Sequence, residues 1–220
     1  MQFFNLHTHQ YTDSPTTLEL VNQYPWEFDA AIPHYSIGIH PWYIDENRLE
    51  ADLKTIAEKL PLPECLALGE CGLDKRIEVP MPLQISVFEQ QIALAEHYQK
   101  PLVLHLVAAF DELLAIKKRL KISVPIIIHG FSKNKQVAKQ LVDNGFYLSF
   151  GKYLLINPDL ESVFKAVPND KFFLETDTIA ETLDEVYTLA AHYKNISVAD
   201  LATQIESNFN TVFNPNNVTL

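Results

Sequence analysis

Near its start the chain reads Phe3-Phe4-Asn5-Leu6-His7-Thr8-His9, an apolar run that ends in His-x-His. Alternate side chains of a β-strand share a face, so His7 and His9 project together and can touch one metal ion while Thr8 points away. Further imidazoles and carboxylates end later apolar runs: His40 in Gly38-Ile39-His40-Pro41, Glu70 in Ala67-Leu68-Gly69-Glu70, and His105 after Leu104. His129 closes Ile126-Ile127-Ile128-His129, and Asp177 closes Phe173-Leu174-Glu175-Thr176-Asp177. Four of these histidines, His7, His9, His105 and His129, with Glu70 and Asp177 make a ligand set for two divalent ions of hard to borderline character. His34, His97 and His192 fall in a loop and in helices and read as solvent or core residues; Lys133, Lys135 and Lys139 read as a solvated helix face.

Such a set works only if strands deliver it to one place. From about residue 35, short β-rich runs alternate with helical patterns, the mark of a parallel sheet built from βα units. The strands are expected at Tyr35–Ile39, Cys65–Gly69, Leu102–Leu106, Pro125–His129, Phe146–Phe150 and Phe172–Glu175. Helices are expected over Glu46–Leu60 behind an Asp45 cap, along the Ile85/Phe88/Ile92/Ala95 face up to Pro101, over Phe110–Leu120, and over Asn134–Asn144 with Gly145 beyond it. Asn157-Pro158 opens a shorter helix, and Thr182-x-x-Glu185 and Ser197-x-x-Asp200 open the last two. With Phe3–His7 and Leu18–Asn22 the strands number eight, which closes a (β/α)8 TIM-type barrel carrying its active site at the strands' carboxyl ends. Eight residues between His9 and Leu18 are too few for a helical crossover, and residues 23–34, with Pro25 and Pro33, are poor helix material. The expected fold is therefore an α/β barrel with helices reduced or missing after the first two strands.

Composition sets the limits. A chain of 220 residues, 47% hydrophobic and 20% charged, fits one domain over 1–220. Cys65 and Cys71 are too few for a disulfide framework and are expected as buried thiols. A net charge of −11 argues against broad attraction to nucleic acid or anionic membranes, without excluding a nucleic acid gripped locally. No run approaches membrane-spanning length and no basic, apolar, cleavable leader opens the chain, so a soluble cytoplasmic protein is expected.

Taken together, His7-x-His9, Gly38-Ile39-His40-Pro41, Gly69-Glu70-Cys71-Gly72-Leu73-Asp74, Leu104-His105, Ile128-His129-Gly130-Phe131-Ser132 and Glu175-Thr176-Asp177 resemble, in order, the motifs of the TatD family of metal-dependent hydrolases. Asp184-Glu185-Val186-Tyr187 and Asn208-Phe209-Asn210-Thr211-Val212-Phe213 are similar to its last helices. The resemblance implies an amidohydrolase-like barrel with deoxyribonuclease activity, and by motif it makes His7, His9, Glu70, His105, His129 and Asp177 the metal ligands. The chain departs from the family where Leu106 and Val107 replace an Arg or Ser, where Gly130 and Lys133 flank Phe131-Ser132, and where Thr178-Ile179 replaces Ser-Pro.

Two divalent ions, whether zinc, magnesium or manganese, would lower the pKa of a shared water and offset charge on the attacked group. His7, His9 and Asp177 are expected to hold one ion and His105 and His129 the other, with Glu70 placed to bridge. Asp177 is the candidate general base, and His40 the candidate contact for a substrate oxygen. The leading expectation is cleavage of DNA phosphodiesters. Hydrolysis of a small-molecule ester, lactone or amide, and a catalytically silent metal-binding protein, are the alternatives.

Overall fold

The computed structural model of the chain describes residues 3–178 and 181–213. In chain order its elements are β1 (Phe3–Thr8), β2 (Thr17–Gln23), β3 (Tyr35–Ile37), α1 (Leu49–Lys59), β4 (Cys65–Asp74), α2 (Met81–Tyr98), β5 (Leu102–Val107), α3 (Phe110–Leu120), β6 (Ile126–Ile128), α4 (Lys135–Asp143), β7 (Tyr147–Phe150), α5 (Lys152–Ile156), α6 (Leu160–Ala166), β8 (Phe172–Leu174), α7 (Leu183–Lys194) and α8 (Val198–Phe213). A 3-10 turn, Pro41–Tyr43, follows β3, and another, Asn169–Lys171, precedes β8. The eight strands and alternating helices are those of the expected (β/α)8 class, and no helix lies between β1 and β2 or between β2 and β3. Among the described residues no helix is long and apolar enough to cross a membrane.

The chain divides into two compact units, Met1–Val21 with Ile127–Leu220, and Asn22–Ile126. In the first, β1 runs parallel to β2, β6 to β7, and β7 to β8. The segment after β8 joins β1 through backbone bonds from Asp177 N–H to His7 O (2.9 Å) and from His9 N–H to Asp177 O (3.3 Å). The terminal helices back this sheet with aromatic packing: Phe4 meets Phe173 and Phe209 edge to face at 5.8 and 4.8 Å. The buried Tyr187 hydroxyl of α7 donates to Phe4 O (3.0 Å) and accepts from Phe4 N–H (3.2 Å), so one side chain satisfies both polar groups of a core strand residue. Thr182 and Glu185 form the expected capping box of α7.

In the second unit β3 runs parallel to β4 and β4 to β5. Helix α2 does more than cover them. Its buried Gln91 exchanges two hydrogen bonds with the backbone of Ile39, accepting from N–H (2.8 Å) and donating to O (3.2 Å). Gln84, two helical turns earlier on the same face, does the same for Asp74 at 2.8 and 3.0 Å.

Some boundaries differ from the sequence reading. Strand β4 continues past Gly69 to Asp74 because its glycines allow a close approach to β5: a Cβ on Gly72, whose φ is +139°, would lie 2.1 Å from His105 O. Asp45 does not cap α1; it accepts from Asn47 N–H at 2.9 Å in a turn, and the helix begins at Leu49. Asn157 likewise accepts from Asp159 N–H (3.1 Å), and α6 begins at Leu160, behind a short α5 that no periodicity announced. Both cysteines are buried thiols, and burial pushes Cys65 up to about 12.

Candidate metal centre

Each unit gathers its own group of candidate ligands. In the first, β1 brings His7, the turn after β6 brings His129, and the segment after β8 brings Asp177; their ligand atoms lie within 4.8 Å of one another. The ring of His129, expected to share an ion with His105, lies 4.3 Å from that of His7. His9 joins the rim: its Nε2 is 3.5 Å from Asp177 Oδ1, against 3.8 Å for His7 Nε2. His7 is fully buried, whereas the Asp177 side chain is 28% exposed, so solvent reaches the carboxylate but not the deepest imidazole.

Asp177 is held by its backbone. It adopts a left-handed conformation (φ 57°), which a side-chain-bearing residue accepts only when neighbours fix it. The paired bonds to His7 and His9 do so, and the preceding residue is clamped by Asn5, whose amide donates to Thr176 Oγ1 (2.8 Å) and accepts from Thr176 N–H (3.0 Å). Behind His129 lies Glu175, which sequence reasoning did not single out. Its Oε1 is 3.4 Å from His129 Nδ1 and accepts from Gly130 N–H at 2.7 Å. Burial pushes the Glu175 carboxyl up, but the hydrogen bond and charge of His129, the charge of His7 and the Ser149 hydroxyl outweigh it and hold it below its ordinary value.

In the second unit His40 follows β3, Glu70 sits within β4 and His105 within β5. Glu70 Oε1 is 3.2 Å from His40 Nε2 and 3.1 Å from His105 Nδ1. The two imidazoles are not equivalent. His40 caps the Pro41–Tyr43 turn, its Nδ1 accepting from Trp42 N–H at 3.0 Å, which leaves the proton of neutral His40 on Nε2, facing Glu70. In that tautomer His40 turns an N–H toward Glu70, and the ligand atoms of His40, Glu70 and His105 lie within 4.8 Å of one another. His105 Nε2 faces Asp74 Oδ2 at 3.1 Å, so Asp74 can hold the proton on Nε2 and leave the Nδ1 lone pair toward Glu70. Asp74 is the second residue the sequence reading passed over. Its carboxyl, pushed up by burial, is held below its usual value by the Trp42 indole N–H, the Arg76 N–H and His105.

These donor sets suit a divalent ion. Imidazole nitrogens and carboxylate oxygens are the ligands of zinc, manganese and related metals, and atoms about 2 Å from a common ion lie roughly 3–3.5 Å apart. Each group also carries a carboxylate-to-histidine contact of the kind that would orient an imidazole toward an ion, Glu175 to His129 and Asp74 to His105. His97 and His192 are exposed on α2 and α7, and burial lowers the pKa of half-buried His34; among the described residues none of the three joins a ligand group. Lys135 and Lys139 are exposed, the latter paired with Asp143 at 2.6 Å.

Comparison with known proteins places this arrangement. The family model "TatD related DNase" matches residues 1–214. A metal-dependent hydrolase of Bacillus subtilis, YabD, described as uncharacterized, is 32% identical over 173 residues, covering 75% of this chain and 65% of that protein. The 3′-5′ ssDNA/RNA exonuclease TatD of Citrobacter rodentium is 26% identical over 170 residues, 75% of this chain and 62% of its own length. The match thus spans less than two-thirds of either relative. Among solved structures, YJJV, a TatD homologue of Escherichia coli, superposes with a TM-score of 0.81 at 22% identity, covering 96% of this chain and 98% of that one, a likeness of fold.

Proposed function

Because the chain belongs to the TatD related DNase family, we propose that it is a hydrolase that cleaves phosphodiester bonds in DNA with the help of two divalent metal ions. The observation that carries this reading is the presence of a His/carboxylate group in each unit, His7–His129–Asp177 and His40–Glu70–His105, each with an acid behind one of its histidines. The exonuclease relative supports DNA as the substrate. A single domain spanning the chain and a cytoplasmic location belong to the same reading.

Under this proposal His7, His9, His129 and Asp177 would hold one ion, and Glu70 and His105 would hold the other. When bound, such ions lower the pKa of water and offset the charge that builds on an attacked phosphate. Asp177, the solvent-reached carboxylate, would take the proton of the attacking water as the water oxygen forms the new bond to phosphorus, and the ester oxygen whose bond to phosphorus breaks would leave as a hydroxyl, taking its proton from solvent. His40 is the contact for a phosphate oxygen of the substrate, its one N–H, on Nε2, passing from Glu70, which it faces at 3.2 Å, to that oxygen as substrate binds.

The test is metal-supplemented cleavage of end-labelled single- and double-stranded oligonucleotides, with metal content measured in parallel. Asp177→Asn is expected to lose at least about 100-fold in rate, the scale of a missing proton acceptor. Robust cleavage by that variant at unchanged metal content would overturn the assignment. A panel of small esters, lactones and amides run beside the oligonucleotides tests the second reading, which the apolar Leu106 and Val107 beside His105 favour; turnover of these without nucleotide release would replace DNA as substrate.

A further inference from the structure

The turn that begins at His40 presents two large rings to solvent, Trp42 with 54% and Tyr43 with 43% of their surface exposed. Trp42 is nevertheless fixed. Its Nε1–H donates to Asp74 Oδ2 at 2.8 Å, the same oxygen that faces His105, and its ring lies 5.1 Å from His40 and 5.7 Å from His105 between centroids. With the indole's one polar atom satisfied, what remains open is ring surface, held in one orientation at the edge of the Glu70–His105 pair. Tyr43 continues the surface, edge-on to Tyr24 and Trp26 at 5.4 and 5.9 Å, and those two rings stack at 4.9 Å. The Arg48 guanidinium lies 3.7 Å over Trp26 and donates to Tyr43 O at 2.7 Å, bracing a recess of about 460 Å³ that Tyr24, Trp26, Tyr43 and Arg48 line together with Glu27, Ile44 and Asp45.

We propose that Trp42 and Tyr43 form a stacking shelf for the bases of single-stranded nucleic acid, which holds the strand while its phosphodiester reaches the ligands of the second unit. The inference rests on the nuclease reading and names how the substrate is gripped. Every base has a π-face, so stacking on fixed aromatic rings tolerates any sequence, and each stacked base contributes about 1–3 kcal/mol. Bases of a duplex already stack on one another, so the shelf selects single strands. Local contacts of this kind are needed here, because a chain of net charge −11 draws phosphates weakly from a distance.

The experiment titrates metal-loaded protein with a cleavage-resistant phosphorothioate oligothymidylate and with its abasic counterpart, alongside cleavage assays on ordinary DNA. Trp42→Gln keeps an N–H donor for Asp74 but removes the ring; Trp42→Phe keeps a ring and removes the donor. The wild type is expected to bind the base-bearing strand about 5- to 150-fold more tightly than the abasic one. The Gln variant should lose most of that ratio and the Phe variant keep it. If DNA is cleaved but the ratio is the same in wild type and the Gln variant, or lost only in the Phe variant, the shelf is refuted while the nuclease reading stands. If no nucleic acid is cleaved, the nuclease reading fails; the shelf then stands only if the ratio is present and lost in the Gln variant, and falls otherwise.

Discussion

Replacing Asp74 by Asn isolates the acid behind His105. Asp74 Oδ2 accepts from Trp42 Nε1–H at 2.8 Å and faces His105 Nε2 at 3.1 Å, while Oδ1 accepts from Arg76 N–H at 2.8 Å. An amide offers one acceptor oxygen and one NH2 donor in place of two acceptors. With its oxygen toward Trp42 and His105, the introduced side chain turns its NH2 onto the Arg76 N–H; in the opposite rotamer it confronts two donors. The first arrangement costs less, stranding one backbone donor at about 1–3 kcal/mol. It also places a neutral acceptor behind His105, and loss of such an orienting carboxylate lowers metal affinity about 10- to 100-fold. Competition with a chromophoric chelator, on variant and wild type with melting temperatures recorded, reads this directly. One of two ions should weaken by that factor, with the other unchanged. A folded Asp74→Asn protein that binds both ions as tightly as the wild type would refute the role given to Asp74.

Other perturbations test the frame around the centres. Tyr187→Phe strands both polar groups of Phe4 in the core and should cost about 2–4 kcal/mol, a fall in Tm of roughly 5–15 °C by calorimetry; a shift under about 2 °C would show that the hydroxyl does not stitch α7 to β1. Burial lowers Lys194 to about 8, so between about pH 8 and its ordinary value of 10.5 the unfolded chain binds more protons than the folded one and stability rises with pH. Denaturant midpoints of the wild type should climb across that window while those of Lys194→Met stay flat relative to it, and parallel curves would contradict the assignment.

The histidines were legible because a strand's alternation and the apolar runs before His7, His105 and His129 declare the element that carries or delivers each of them. Asp74 and Glu175 were not, although they stand two strand periods after Glu70 and one before Asp177, because they act on imidazoles rather than on an ion. Glycine also hid Asp74: Gly69 and Gly72 read as a strand's end, whereas they permit β4 to run on against β5. Gln84 and Gln91 escaped notice because the apolar positions around them, Phe88 and Ile92, already accounted for a buried helix face. Asp45 and Asn157 show the opposite error, capping-type residues that the chain spends on turns one step before the helix.

The backbone bonds that tie Asp177 to His7 and His9 join residues from opposite ends of the chain. Connectivity therefore imposes an order on biosynthesis. As the polypeptide emerges, Glu70, Asp74 and His105 are all present by residue 105, within one uninterrupted stretch of sequence. The N-terminal His-x-His, although made first, meets Asp177 only after residue 177 has been synthesised. The earliest ligands to leave the ribosome are thus among the last whose coordination sphere can be completed.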